Sequence, residues 1–485
     1  MRRLLFRKHT MLTSATAAPL EQVIEFDAGI MKTLSQSEPR YTPFPSAEHF
    51  TPAFGFGNFL EALAALRMRG GRRRLSLYIH IPFCESACYY CTGNKIVTKN
   101  RTKIATYLSY LKQEITMQGQ LLAGMNQIGQ LHFGGGTPTY LSERQMEELM
   151  TLLRRHFEFA PDESGEYLIE IDPRTVSRER VHALRKLGFN QISLGIQDFD
   201  ADVQKAVNRV QSEAGIVAII EAAREARFRS VSIDLIYGLP KQSVASMERT
   251  LAKVIDVSPD RIALYHYDHA PRVFKVQKRI LDADLPNAAG TLDMLGLCVA
   301  RLTKAGYVYI GMDHFAKPGD ELAIAQSQGR LHRNFQGYSK HIEADLIACG
   351  VAAISSLGAI QCQNEKTLEA YYERLDEGRL PIACGIKLCT DDLLRRLVIE
   401  ALMCNFELSI EAIEQAHPIQ FHQYFAKELE RLAEFVAGGL LTVERKWLTV
   451  TPRGRLLIRN ICMVFERHPG LVAQAAPPRP CQKTI

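Results

Sequence analysis

The sequence predicts an α/β protein: an incomplete six-stranded parallel barrel, (β/α)6, with an amino-terminal arm and a mainly helical carboxy-terminal domain. Three observations predict it. Six apolar, strand-length runs alternate with helix-length segments between Leu75 and Tyr267. Polar and glycine-rich residues gather where those runs end. After Ala316 the texture changes, short of the eight units of a closed (β/α)8 barrel.

Residues 1–70 read as an extension and arm. The first twenty, MRRLLFRKHTMLTSATAAPL, carry four Lys/Arg and no acid, which is the composition of a transit peptide or of an untidy extension before Met11. From Gln36 to Phe56 the text is rich in proline and aromatics without a period, an ordered arm on a larger body. Leu60–Met68 is a short helix ended by Gly70-Gly71.

Residues 71–315 are the partial barrel. Its strands are Leu75–Ile81, Gln130–Phe133, Tyr167–Ile171, Gln191–Ile196, Val231–Tyr237 and Arg261–Tyr267, and helices such as Tyr107–Leu121 and Ser142–Phe157 lie between them. At the strand ends stand Cys84 to Cys91, Gly134-Gly135-Gly136-Thr137, Glu170 and Asp172, Gln197-Asp198, Asp234, and His266 to His269. Sheets of this kind place their chemistry at the carboxyl ends of strands, so these groups predict one shared site. A seventh strand-like piece, Tyr307–Met312, leads into Asp313-His314-Phe315.

Residues 316–470 read as mostly helical, with amphipathic helices over Asp391–Cys404 and Phe421–Gly438. A hairpin over Leu440–Val450 then gives a winged-helix-like, packing role. Residues 471–485, with Pro477-Pro478 and Pro480, are a tail.

A net charge of +6 over 485 residues is modest, and no basic block or recognition face resembles a nucleic-acid binder. No apolar run reaches the roughly 18 residues of a membrane span. Eight of the eleven cysteines are scattered singly from Cys298 onward, a pattern of buried thiols in a reducing compartment. Cys349, Cys362 and Cys404 read as small core residues. A cytoplasmic monomer is expected.

Cys84, Cys88 and Cys91 lie within eight residues, directly after a strand that stops at Pro82. Three crowded thiolates predict a metal site. Zinc wants a fourth protein ligand, and no second cysteine pair is at hand. An iron-sulfur cubane on three thiolates leaves one iron open to a cofactor. Spacing alone leaves both metals possible.

The spacing Cys84-x3-Cys88-x2-Cys91 resembles the signature of radical S-adenosylmethionine enzymes. Around it, YIHIPFC, HFGGGTPTYL (His132–Leu141), EIDPRTV (Glu170–Val176), SLGIQDF (Ser193–Phe199), AVNRVQ (Ala206–Gln211), IDLIYGLPKQ, IGMDHFA, HRNFQGY (His332–Tyr338), LLIRNICM and PRYT (Pro39–Thr42) are similar to the oxygen-independent coproporphyrinogen III oxidase family. The resemblance spans about residues 36 to 465. It implies decarboxylation of two propionates of coproporphyrinogen III to vinyl groups, giving protoporphyrinogen IX in haem biosynthesis. One 4Fe-4S cluster reduces S-adenosylmethionine to release a 5′-deoxyadenosyl radical, which takes hydrogen from the propionate β-carbon. An electron donor and an acceptor are implied as partners.

By the same resemblance Cys84, Cys88 and Cys91 hold the cluster. Tyr78 borders the sulfonium and Tyr90 the adenine. Gly134, Gly135, Gly136 and Thr137 let backbone approach the methionine moiety, and Glu170, Gln197, Arg209 and Asp234 hold the cofactor's polar groups. Ile354 marks a second S-adenosylmethionine, next to which Asp268 stands where the family commonly has a small apolar residue. Arg40 and Arg333 would meet substrate propionates, since guanidinium matches carboxylate bidentately. A second departure is Gly93, where the family usually has a fourth, non-ligand cysteine. Two rival readings remain: a haem-binding delivery protein that keeps the cluster without turnover, and a radical enzyme with another substrate. The intact HRNFQGY reads with the oxidase branch.

Overall fold

Apolar runs buried on both faces become parallel strands when helices can cover each side. The computed structural model describes residues 24–34, 44–68, 73–124, 126–341 and 345–466. In it the six expected runs are β1 (Arg73–Ile81), β2 (Asn126–Gly135), β3 (Glu166–Ile171), β4 (Gln191–Gln197), β5 (Ser230–Tyr237) and β6 (Arg261–His266). Each neighbouring pair is parallel. Helices Arg101–Leu121, Glu143–His156, Arg178–Lys186, Glu213–Glu225 and Val244–Val257 connect them. Each is started by an Asn or Ser side chain, from Asn100, Ser142, Ser177, Ser212 and Ser243, that accepts an otherwise unpaired backbone N–H.

The chain forms two compact units, and the strands above belong to one made of residues 46–68, 73–286 and 345–389. Within it the strand order is β6-β5-β4-β3-β2-β1, continued by β7 (Asp345–Cys349), β8 (Ile354–Leu357), β9 (Ile360–Asn364) and β10 (Ile382–Lys387). β7 is parallel to β1, and β8, β9 and β10 turn antiparallel. The sheet is open, not a closed barrel. The continuation is what the sequence reading missed, because it took residues after Ala316 as mostly helical. Leu77, Ile79, Leu131, Phe133, Ile169, Ile192, Leu194, Ile233 and Leu235 are fully buried between the sheet and its helices. Burying each such side chain contributes about 1.5–3 kcal/mol. Cys349 and Cys362 are core residues, as expected.

The second unit contains residues 24–34, 44–45, 287–341 and 390–466. Helix Ala288–Lys304 precedes an antiparallel pair, Val308–Gly311 with His314–Ala316, where the seventh strand-like piece was expected. A core of Ile310, Ala316, Leu322, Leu331, Tyr338 and Cys404 follows. Gln326 donates to the carbonyls of Ile310 (2.6 Å) and Cys404 (2.8 Å), tying strand and helix together. Helix Thr390–Asn405 matches expectation. The expected Phe421–Gly438 helix is instead three short ones, Phe421–Tyr424, Ala426–Arg431 and Ala433–Ala437. The expected hairpin, Leu441–Val443 with Trp447–Val450, gains a third strand, Glu407–Ser409. No helix among the described residues is long and apolar enough to cross a membrane. Arg40, PRYT, residues 1–20 and residues 471–485 lie outside the described residues.

Candidate active site

Strand alternation sorts β1 into two sets. Leu75, Leu77, Ile79 and Ile81 point one way, Ser76, Tyr78 and His80 the other. Register sets Tyr78 beside His132 and His80 beside Gly134. Farther along the sheet it sets Glu170 beside Ser193 and Gly195 beside Asp234. One sheet face therefore carries Tyr78, His80, His132, Glu170 and Asp234 toward the carboxyl ends of four strands, β1, β2, β3 and β5.

These side chains are knitted together. Tyr78 donates its hydroxyl to His80 Nδ1 (3.2 Å), and His80 Nε2 faces the Asn94 carbonyl (3.2 Å). Burial lowers the His80 pKa to about 4, so the ring is neutral, with its proton on Nε2 toward that carbonyl. His132 Nε2 lies 2.9 Å from Glu170 Oε1, and the Gly135 N–H donates to Glu170 Oε2 (3.2 Å). Ser193 donates to Asp234 (3.0 Å). Burial, and then the charge of Glu170, push the Asp234 carboxyl up to about 7.

The glycine loop is packed so closely that no side chain fits on it. A Cβ on Gly134 would lie 2.8 Å from Glu170 Oε1, one on Gly135 2.8 Å from the His80 ring, and one on Gly136 2.7 Å from the Pro82 carbonyl. Protein atoms already fill the space, and Gly135 also needs φ +119°. This close approach lets Gly136 N–H and Thr137 N–H donate to the Ile81 (2.8 Å) and Phe83 (2.9 Å) carbonyls, fixing where the cysteine loop leaves β1.

The cysteine loop itself is gripped from several sides. Phe83–Cys84 pairs with Ile96–Val97. Tyr89 N–H donates to the Val207 carbonyl (2.9 Å), and Asn208, held at φ +55°, donates its amide to Ala87 O (2.8 Å). Lys95 caps Cys91 O (2.9 Å). Buried Gln277 donates to Tyr90 O (3.2 Å) and Asp268 O (3.0 Å).

Around the sulfurs, Thr137 Oγ1 donates to Cys84 Sγ at 3.5 Å. Arg209 Nη1 donates to Cys88 Sγ at 3.3 Å and to Asp172 at 3.1 Å, while its other nitrogens hold the Gly195 carbonyl. Arg174 Nη2 also donates to Cys88 Sγ, at 3.4 Å. Asp172, which both arginines neutralise, stays ionised below the usual carboxylate range despite its burial. Burial pushes the Cys84 thiol up to about 11, so metal binding there must displace a proton.

The donor set fits a 4Fe-4S cluster. Among the described residues no three His, Cys, Asp or Glu side chains converge as a single ion requires. A cubane differs, since each thiolate bonds its own iron around a larger body. Gly93 leaves room, as a Cβ there would meet only Cys91 Sγ, at 3.8 Å.

The other expected residues are placed as follows. Tyr90 is half-buried and packs on the cluster of Val203, Val207, Ile236, Tyr267 and Ile280. Gln197 sits at φ +70°, at the shift of register between β4 and β5. Ile354 is buried at the start of β8, paired with Gln363, and Asp268 is exposed just after β6. Arg333 belongs to the second unit, in the pair His332–Asn334 with Gly337–Ser339, where its guanidinium lies 4.8 Å from the Tyr338 ring centre. Arg174, Asn208 and Gln277 were not anticipated. The first two lie inside EIDPRTV and AVNRVQ, so membership in those stretches was the available signal.

Three thiols at the carboxyl edge of a parallel sheet, backed by a strip of polar side chains on one sheet face, are the arrangement of a radical S-adenosylmethionine protein. The Radical SAM superfamily pattern matches residues 78–254, and the HemN C-terminal domain matches 389–457. The chain belongs to the oxygen-independent coproporphyrinogen III oxidase family. It is 47% identical to the proteins of that name from Salmonella typhimurium and Escherichia coli, over 92% of this chain and 96% of theirs. The solved coproporphyrinogen III oxidase (HemN) of Escherichia coli superposes with a TM-score of 0.86 at 47% identity, covering 91% of this chain and 99% of that one.

Proposed function

We propose that this chain converts coproporphyrinogen III to protoporphyrinogen IX without oxygen, turning two propionates into vinyl groups in haem biosynthesis. The observation that carries the reading is the extent of the likeness. Identity of 47% runs through 92% of the chain, beyond the radical domain alone. When bound, a 4Fe-4S cluster and S-adenosylmethionine supply the one-electron chemistry that opens an unactivated C–H bond.

In this reading Cys84, Cys88 and Cys91 hold the cluster, and Thr137, Arg209 and Arg174 donate hydrogen bonds to two of its sulfurs. Glu170 and Asp234 face the cofactor's ammonium and hydroxyl groups, Arg209 and Gln197 its carboxylate. Asp234, poised near 7, can donate or accept there. Tyr78 and neutral His80 close that side without adding charge, and Tyr90 covers the adenine. Ile354 and Asp268 border a second S-adenosylmethionine, and Arg40 and Arg333 pair with substrate carboxylates. An electron donor and an acceptor complete the cycle.

The test is anaerobic turnover of the reconstituted chain with reductant, S-adenosylmethionine and coproporphyrinogen III, with products identified by mass. Protoporphyrinogen IX is expected. A stable haem complex without product, or 5′-deoxyadenosine without any vinyl porphyrin, would reject the reading.

A further inference from the structure

We infer that Arg174 tunes the reduction potential of the cluster, through its hydrogen bond to the sulfur of Cys88. The environment of the three sulfurs is uneven. Cys84 Sγ accepts one bond from a neutral hydroxyl, and no side chain among the described residues donates to Cys91 Sγ. Cys88 Sγ accepts from two guanidinium groups, Arg209 at 3.3 Å and Arg174 at 3.4 Å. Charge-assisted bonds of this kind are roughly twice as strong as neutral ones. Reduction adds negative charge to the cluster and its sulfurs, so cationic donors stabilise the reduced state and raise the potential.

Arg174 is held for this task. Its Nε and Nη2 fork onto Asp172 (3.0 and 2.7 Å), whose side chain also accepts from the Arg174 backbone N–H (3.1 Å). Nη1 reaches Asn208 O at 3.4 Å. The Arg174 side chain is 23% exposed, against 7% for Arg209, so its bond to Cys88 lies partly screened at the rim. Arg209 cannot be tested cleanly, because it also holds the Gly195 carbonyl of β4 and is assigned to the cofactor. Arg174 holds no strand carbonyl and is not assigned to the cofactor; its other bonds are to Asp172 and Asn208 O, so each variant's potential is read beside its iron and sulfide content.

This inference rests on the cluster reading above. The test uses the full chain, reconstituted anaerobically with iron and sulfide, as wild type, Arg174→Gln, Arg174→Lys and Arg178→Gln. The last is a control whose guanidinium pairs with Glu221 and Glu225 on helix Glu213–Glu225. Iron and sulfide are counted, and the midpoint potential is read from the electron paramagnetic resonance signal against redox mediators, without substrate. Arg174→Gln should load fully and shift to a more negative potential. Arg174→Lys should fall between it and wild type, and Arg178→Gln should match wild type. Full loading of Arg174→Gln at the wild-type potential overturns the inference. So does a loading deficit in both Arg174 variants, which would make the residue one of assembly. A wild-type chain that takes up no iron and sulfide would instead sink the cluster reading itself.

Discussion

Glu114 offers a stability test whose size can be worked out. It is fully buried behind β7 and accepts from Gly350 N–H (2.7 Å), Tyr371 hydroxyl (2.6 Å) and Asn364 amide (2.7 Å). Beside it Tyr107 donates to His80 O (2.7 Å) and accepts from Val351 N–H (3.3 Å), which connects this network to β1. Burial outweighs the three donors and pushes the carboxyl from 4.5 to about 7. A raised folded-state pKa means that the folded chain binds the proton more tightly than the unfolded one. Its stabilising contribution is complete below pH 4.5 and is lost as pH rises through about 7. At 1.36 kcal/mol per pH unit the loss is about 3 kcal/mol. Glu114→Gln has no proton to lose. Urea-dependent hydrogen exchange of peptides from 345–364, corrected for the intrinsic pH effect, should show the variant gaining on wild type by about 3 kcal/mol between pH 4.5 and 8. A difference between the two proteins that stays constant across this range would refute the reasoning.

Gly135→Ala should cost about 1–3 kcal/mol of backbone strain at φ +119° and push on the His80 ring, so reconstituted protein should carry less iron than wild type. Gly93→Cys should leave iron content and melting temperature unchanged, because its Cβ meets only Cys91 Sγ at ordinary contact distance. Asn208→Ala removes the bond to Ala87 O and places alanine at φ +55°, a loss of about 1–2 kcal/mol. Release of iron to a chelator should accelerate by roughly 5- to 30-fold if the released state is a local opening of that loop.

The barrel strands were legible because a parallel strand covered on both faces must be continuously apolar, as Val231–Tyr237 is for most of its length. The cysteine loop was legible because three thiols after a strand have few other uses. The strands β7 to β10 were not. β9 reads IQCQN, and all five residues are buried. Two of its polar residues are accommodated because groups outside the strand meet them: Gln363 bonds Ala352 O (3.0 Å), and Asn364 bonds Glu114 and Gly350 O (2.9 Å). Nothing local in the sequence announces such partners. Arg174 and Asn208 were missed for the same reason, since a polar loop residue shows no period and its role depends on what the fold brings to it. The three glycines were legible as a run, but their tight contacts to His80, Glu170 and the Pro82 backbone were not, since the fold alone brings those groups to them.

The most direct test of the central claim follows one hydrogen atom. Coproporphyrinogen III deuterated at the propionate β-carbons is given anaerobically to the reconstituted chain with reductant and S-adenosylmethionine, and the 5′-deoxyadenosine formed is weighed by mass spectrometry. The account predicts deuterium in 5′-deoxyadenosine, matched by vinyl groups in the porphyrinogen. Unlabelled 5′-deoxyadenosine, or vinyl product formed without it, would contradict the account.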